Sequence, residues 1–186
     1  MKYKVSHDGT TKTYAVLWHT AWHLLETAKD HREGSLLNLQ ASAVFHAFTF
    51  EAYLNHVGVN EIVFWDEIDR ISYWRKLKII GKHLGLSINP GVPPFQGILE
   101  LFSLRNTLAH GRTIEIDVTY EVDEEPGVHS SWEIHEWEKL TTDKVERYRN
   151  NVRGAIQAIN AVRKDPDDET ELWNQGGRGR YIHALK

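Results

Sequence analysis

Residues 35–57 have the sequence SLLNLQASAVFHAFTFEAYLNHV, and the packing that this stretch requires sets the predicted architecture. The apolar residues in it recur at helical spacing and cover more than one face of the predicted helix. A helix that is apolar nearly all round must be packed on several sides. We therefore expect residues 35–57 to form the central helix, in which the carboxylate of Glu51 needs a partner if it is buried.

Further stretches with a helical period lie on both sides of this central helix. They predict helices at 14–30, 72–85, 95–110 and 142–163. Residues 59–73 predict a short helix or a loop, and residues 89–94 predict a clear loop because their prolines forbid a continuous helix. The predicted fold class is all-α, a bundle of four to five helices.

One segment breaks the helical pattern. From Thr113 onward apolar and polar residues alternate, first over 114–122 and again over 128–137, with a Glu-Pro-Gly turn between the two stretches. Alternation on both sides of a turn is typical of two antiparallel strands. We predict a β-hairpin inserted in the bundle at about 113–137.

The two ends of the chain have a different character from the bundle. The dipeptide Asp8-Gly9 favours a tight turn and predicts a small hairpin within residues 2–13. After Lys164 the chain is acidic and then rich in Gly and Arg, which predicts a linker and a flexible tail over 165–186. The helical domain is expected to span residues 1–164.

Composition narrows the functional classes. The 186 residues suit one domain, and no apolar run reaches the roughly 20 residues that span a bilayer. We expect neither a membrane-spanning segment nor a secretory leader. We therefore expect a cytoplasmic location. Cysteine is absent, which excludes disulfides, zinc–thiolate sites and a cysteine nucleophile.

The charge balance bears on possible partners. The net charge of −4 argues against a protein that binds nucleic acid non-specifically over a large surface. It is compatible with a small pocket that binds one phosphate. Basic clusters such as Arg147, Arg149 and Arg153 are expected to be solvated helix faces.

The predicted helix at 95–110 ends in the pattern Arg105-Asn106-Thr107-Leu108-Ala109-His110. At helical spacing Ser103, Asn106 and His110 share one face, and the long side chain of Arg105 can reach it. The negative end of the helix dipole favours a protonated imidazole at His110.

These residue types suit phosphoryl chemistry. A guanidinium can stabilise extra charge on a phosphate, and an imidazole can take and return a proton. Arg105, His110 and Asn106 are therefore the candidate catalytic residues, with Ser103 in support. Arg112, two residues beyond the helix end, is the candidate substrate contact. No metal or cofactor is expected.

This pattern resembles the Arg-x-x-x-x-His signature of HEPN domains, small all-helical proteins that include many metal-independent RNases. Residues 43–55 resemble the second helix of those proteins, with a Phe-Glu-x-x-Leu-Asn core, and residues 72–85 resemble the helix that follows. The resemblance covers residues 14–110, with the helix at 142–163 in the expected order. The hairpin at 113–137 departs from the minimal fold.

The resemblance implies an endoribonuclease that uses Arg105 and His110 as its catalytic pair, with Glu51 as a supporting acid. It also implies a homodimer in which two motif helices share one cleft, and a toxin–antitoxin or antiviral defence role. RNA is the implied substrate, and an antitoxin or other protein is a possible partner.

Two alternatives stay open. The chain could be a non-catalytic HEPN-like module that binds RNA, a nucleotide or a protein, and the net acidity favours that reading. His19 and His23 stand four residues apart, a spacing that can chelate a metal, but no third ligand completes the set and surface histidines are expected. Trp18, Trp22 and Trp74 are expected to pack the core.

Overall fold

The computed structural model describes residues 2–113, 115, 123, 139–166 and 172–185, and it is mostly helical. The elements in these ranges, in chain order, are β1 (Lys2–Gly9), α1 (Thr13–Asp30), α2 (Ser35–Glu61), α3 (Trp65–Ile68), α4 (Tyr73–Leu84), α5 (Phe95–Ala109), α6 (Thr142–Asn160) and β2 (Arg178–Leu185). The predicted all-α class is confirmed in this coarse form. None of the described helices is both long enough and apolar enough to cross a bilayer.

Helix α2 is central, as its composition predicts, and it packs against α1, α4, α5 and α6. The side chains of Phe50 and Leu54 are fully buried. The Phe50 ring meets Phe102 of α5 edge to face, with 6.4 Å between ring centroids. On another side the Tyr53 hydroxyl donates a hydrogen bond to Asn160 of α6. The buried side chains of α2 thus pack against most of the other helices of the bundle.

Gly58 has a different role from the one that its sequence position suggests. A glycine near a predicted helix end favours a left-handed cap, but α2 continues through Gly58 to Glu61. The indole ring of Trp65, which is buried, occupies the space where a Cβ of residue 58 would lie. Gly58 is therefore explained by close packing against α3 rather than by helix termination.

A second close approach sets the position of α5. A Cβ at position 97 would overlap the side chain of Asn151. Because Gly97 has no Cβ, α5 can lie directly against α6 at this level. The Asn151 amide donates to the carbonyl oxygen of Arg147 at 2.9 Å, which holds that side chain in place. On the opposite flank the Phe102 ring stacks on Tyr73, with 3.5 Å between centroids.

The chain ends differ from the sequence-based prediction. Residues 2–13 do not form a local hairpin: β1 pairs instead with β2, antiparallel, with Val5 opposite Ile182. The Gly/Arg segment is therefore a strand and not a flexible tail over residues 178–185. A turn dipeptide and a glycine-rich composition are local signals, and neither reports a partner at the other end of the chain.

The predicted hairpin insert at 113–137 falls almost wholly outside the described residues and stays a prediction. The same is true of residues 167–171 in the predicted acidic linker. The helix that follows the insert begins where the sequence indicates: the Thr141 hydroxyl caps α6 by accepting a hydrogen bond from the Lys144 amide at 3.2 Å.

His46 of α2 is a fully buried titratable group. Its ring meets the Trp18 indole edge to face at 5.4 Å, and its Nδ1 lies 3.4 Å from the Ser42 hydroxyl. Burial lowers the pKa of His46 to about 3, and the positive charge of Arg149 acts in the same direction. His46 is therefore neutral in the folded protein at ordinary pH.

This buried imidazole predicts a specific loss of stability in acid. Below about pH 6.5 His46 is protonated in the unfolded chain but stays neutral in the folded chain. The free energy of unfolding therefore falls as the pH falls from 6.5 toward 3. The slope from this one group approaches about 1.4 kcal/mol per pH unit. Urea unfolding between pH 4 and 7 should show that slope in the wild type and not in His46→Gln.

The exposed His83 of α4 offers a matched control. His83→Gln removes an imidazole without touching the core, so it separates loss of a histidine from loss of this buried one. Parallel pH curves for wild type and His46→Gln would contradict the assignment.

Candidate active site at the carboxyl end of α5

The predicted motif lies at the carboxyl end of α5. The helix ends at Ala109, and His110 is its C-cap residue, with its backbone N–H donating to the Asn106 carbonyl at 2.9 Å. Leu101, Phe102 and Leu104 are buried because they form the apolar side of the helix. The opposite side is exposed, and it carries the residues predicted to share one face, Ser103, Asn106 and His110.

The guanidinium of Arg105 is held from two directions. It lies over the Phe48 ring of α2, 5.5 Å from the ring centroid, and its Nη1 donates to Asn106 Oδ1 at 3.0 Å. The Nε atom is buried without a hydrogen-bond partner. No ion pair neutralises Arg105 within the described ranges. The result is a positioned cation with unused N–H groups, which suits it to bind an oxyanion.

His110 is exposed at the end of α5, five residues after Arg105. Its connection to Asn106 runs through the backbone, and among the described residues no side-chain contact orients the imidazole. An exposed imidazole of this kind can exchange protons with solvent or with a bound ligand. The geometry thus unites an anchored anion-binding group and a proton-exchanging group at one helix end.

Glu51 has a partner, but the partner is not in the motif. The Lys76 ammonium of α4 lies 3.3 Å from Glu51 Oε1, and the Lys76 side chain is 4% exposed. Within the described part of the chain, no hydrogen bond or ion pair joins Glu51 to Arg105 or His110. The buried lysine therefore accounts for this carboxylate, and its predicted support of the site stays untested.

The remaining candidate residues lie on the surface or contact residues other than those of the motif. Ser103 and Arg112 are exposed, as substrate-contacting residues would be. His19 packs on Trp173 and lies 3.0 Å from the Gln175 amide nitrogen, instead of meeting further metal ligands. In the ranges that the structure covers, no group of three or more His, Cys, Asp or Glu side chains could hold a metal ion.

Sequence reasoning missed a second concentration of charge. Arg149 and Arg153 were expected on a solvated helix face, but both are half-buried and lie over the indole of Trp18. The sequence signal for this burial was that the two arginines are four residues apart and lie next to the apolar stripe of α6. Only packing shows that a tryptophan of α1 lies beneath them.

Comparisons with protein-family models, with characterised proteins and with solved structures each find no match to this chain. The protein is a mostly helical bundle that carries a half-buried arginine, Arg105, and the exposed Asn106 and His110 at one helix end.

The Glu51–Lys76 pair generates a prediction about stability. Glu51→Gln should lower the free energy of unfolding by about 1–3 kcal/mol, because it leaves the buried ammonium of Lys76 without a counter-charge. Adding Lys76→Met should recover much of that loss, since a methionine at this position needs no partner. Chemical denaturation of both single variants and the double variant measures the coupling. Simply additive losses would show that the pair has no structural role.

Proposed function

We propose that this protein is a metal-independent endoribonuclease of the HEPN type, with Arg105, His110 and Asn106 at its active site. The observation that carries the proposal is the anchored guanidinium of Arg105, fixed between Phe48 and Asn106 at the exposed helix end where His110 also lies. Preorganised charge of this kind is the largest single contribution to catalysis in many enzymes.

The reaction is a transesterification within RNA. His110 takes the proton from a 2′-hydroxyl, and the 2′-oxygen attacks the neighbouring phosphorus, forming a new P–O bond. The bond from phosphorus to the 5′-oxygen breaks, and an imidazolium returns a proton to that leaving oxygen. Arg105 stabilises the charge that develops on the phosphorane oxygens, and Asn106 holds the guanidinium in its orientation. The nucleophile belongs to the substrate.

The charge of the chain fits local recognition of one phosphate. With a net charge of −4, the protein has little general attraction for RNA, so binding depends on cations near the scissile bond. Arg112, exposed just beyond the motif, would contact an adjacent phosphate. The defence or toxin–antitoxin role, with an antitoxin as a possible partner, is proposed on the sequence resemblance alone.

A non-catalytic binding module is the second candidate. The observation that favours it is the imidazole of His110, which no side chain orients within the described residues, whereas Arg105 is well held for binding. Such a module would bind a phosphate-bearing ligand at the same helix end and leave it uncleaved.

RNA cleavage by matched variants distinguishes the two candidates. We expect the wild type to cleave RNA in EDTA and to leave a 2′,3′-cyclic phosphate, because the substrate hydroxyl is the nucleophile. His110→Ala should reduce the rate by about 10²–10⁴-fold, the usual contribution of a general acid or base. Arg105→Ala should weaken both RNA binding and rate, and Asn106→Ala should do less harm.

Controls separate this chemistry from damage to the fold. His83→Ala removes an exposed histidine far along the sequence from the motif and should keep full activity. Because His110 is exposed, His110→Ala should unfold at the wild-type temperature. Strict dependence on Mg²⁺, or full activity in His110→Ala, would contradict the mechanism. RNA binding without cleavage would favour the non-catalytic module.

We further propose that the active unit is a homodimer in which the two motif helices face each other. Arg105 of one copy would then stabilise the phosphate while His110 of the other exchanges the proton. The test mixes two inactive variants, Arg105→Ala and His110→Ala, after partial unfolding and refolding to exchange subunits. Recovery of activity is expected if Arg105 of one copy works with His110 of the other. A monomer in solution, or no recovery by verified mixed dimers, would contradict a shared site.

A further inference from the structure

A second cationic site lies on α6. The guanidinium carbons of Arg149 and Arg153 lie 4.9 and 5.8 Å from the ring centroid of Trp18, which is fully buried. At 100° per residue these arginines point roughly opposite to Asn151, the residue that faces α5. The site is therefore on another side of α6 from the motif helix.

Neither arginine forms a direct ion pair with a carboxylate in the described part of the chain. The carboxylates that influence Arg149 are Glu26 and Glu146, and Lys29 binds both, at 2.8 and 2.7 Å. No hydrogen bond or ion pair to Arg149 or Arg153 is formed within those ranges, and Arg149 Nε is buried without a partner. Burial and the charge of Arg153 lower the pKa of Arg149. An anion would relieve this repulsion.

An aromatic surface adjoins these charges. The Trp173 ring lies edge to face against Trp18, with 6.4 Å between centroids, and it also packs on His19 at 4.8 Å and Trp22 at 5.4 Å. Trp173 remains 39% exposed. The exposed indole and the two cations thus contact the same ring, that of Trp18. An indole so placed offers a surface on which a base can stack, and such stacking is sequence-tolerant.

We propose that Arg149, Arg153, Trp18 and Trp173, together the Trp18 site, bind a nucleotide. The two guanidiniums hold its phosphate, and Trp173 supports its base. Two forked donors suit a phosphate better than a single carboxylate, because several oxygens can be bound at once. The site is independent of the motif at α5, so it holds whether or not the protein cleaves RNA.

The test uses the full chain and calorimetric titration with three ligands: a purine nucleoside monophosphate, the same nucleoside without phosphate, and inorganic phosphate. We expect the monophosphate to bind at least about tenfold more tightly than either fragment, since it engages both halves of the site. The double variant Arg149→Gln/Arg153→Gln should lose at least about tenfold for monophosphate and phosphate alike. Trp173→Ala should bring the monophosphate down to the level of phosphate.

Matched variants make the result specific. Arg147→Gln removes an exposed arginine on the α5 side of α6 and should leave nucleotide affinity unchanged. Loss of nucleotide binding in the variants of Arg149 and Arg153 separates this site from the proposed active site. Near-ultraviolet circular dichroism reports whether the double variant keeps its tryptophan packing. If it does not, the single variant Arg153→Gln, at the less closely packed arginine, serves instead and should weaken binding.

Several results would overturn the proposal. One is equal binding of nucleoside and monophosphate, and another is unchanged affinity in the folded arginine variants. Binding of an RNA oligonucleotide at these arginines, with no binding of the monophosphate, would assign them to RNA instead. Binding that occurs only after the four carboxylates within residues 167–171 are neutralised would show that the chain supplies its own anion.

Discussion

Helix α2 must be buried on several sides, and the other helices are arranged around it. Its apolar residues cover more than one face, so a single partner helix cannot remove them from water. Helices α1, α4, α5 and α6 all pack on it. Gly58 serves the same need, because it lets the Trp65 ring lie directly on the helix. Ionisable residues of α2 must then be accommodated inside: His46 is neutral, and Glu51 is paired with Lys76.

The candidate active site is a consequence of how α5 is held against this core. Phe102 is wedged between Phe50 and Tyr73, and Gly97 permits close contact with α6. The last turn of α5 is thereby fixed while its outer face stays exposed. Phe48 of α2 then lies under the guanidinium of Arg105. The central helix thus orients the cation of the motif without supplying any polar group to it.

The environment of the α6 arginines Arg149 and Arg153 differs from that of Arg105. Arg105 rests on a phenylalanine and an amide, while Arg149 and Arg153 share one buried tryptophan and repel each other. A cation–π contact contributes only about 0.5–2 kcal/mol, and an unpaired buried donor costs about as much. Cation–π contacts alone leave this pair of charges poorly compensated in the described part of the chain, and the buried His46 beside Trp18 adds no negative charge to help.

The helices and the shared polar face of the motif could be predicted from the amino-acid sequence. Helical periodicity and capping are local properties, so the predicted helices, the Thr141 cap and the shared face of Ser103, Asn106 and His110 could be read directly. The contacts between residues that are distant in sequence became known only from the folded structure. Strand β1 pairs with β2 at the other end of the chain, Glu51 meets Lys76, and Trp18 lies under Arg149. Such contacts depend on packing between elements that are remote in sequence, and no local pattern encodes their partner.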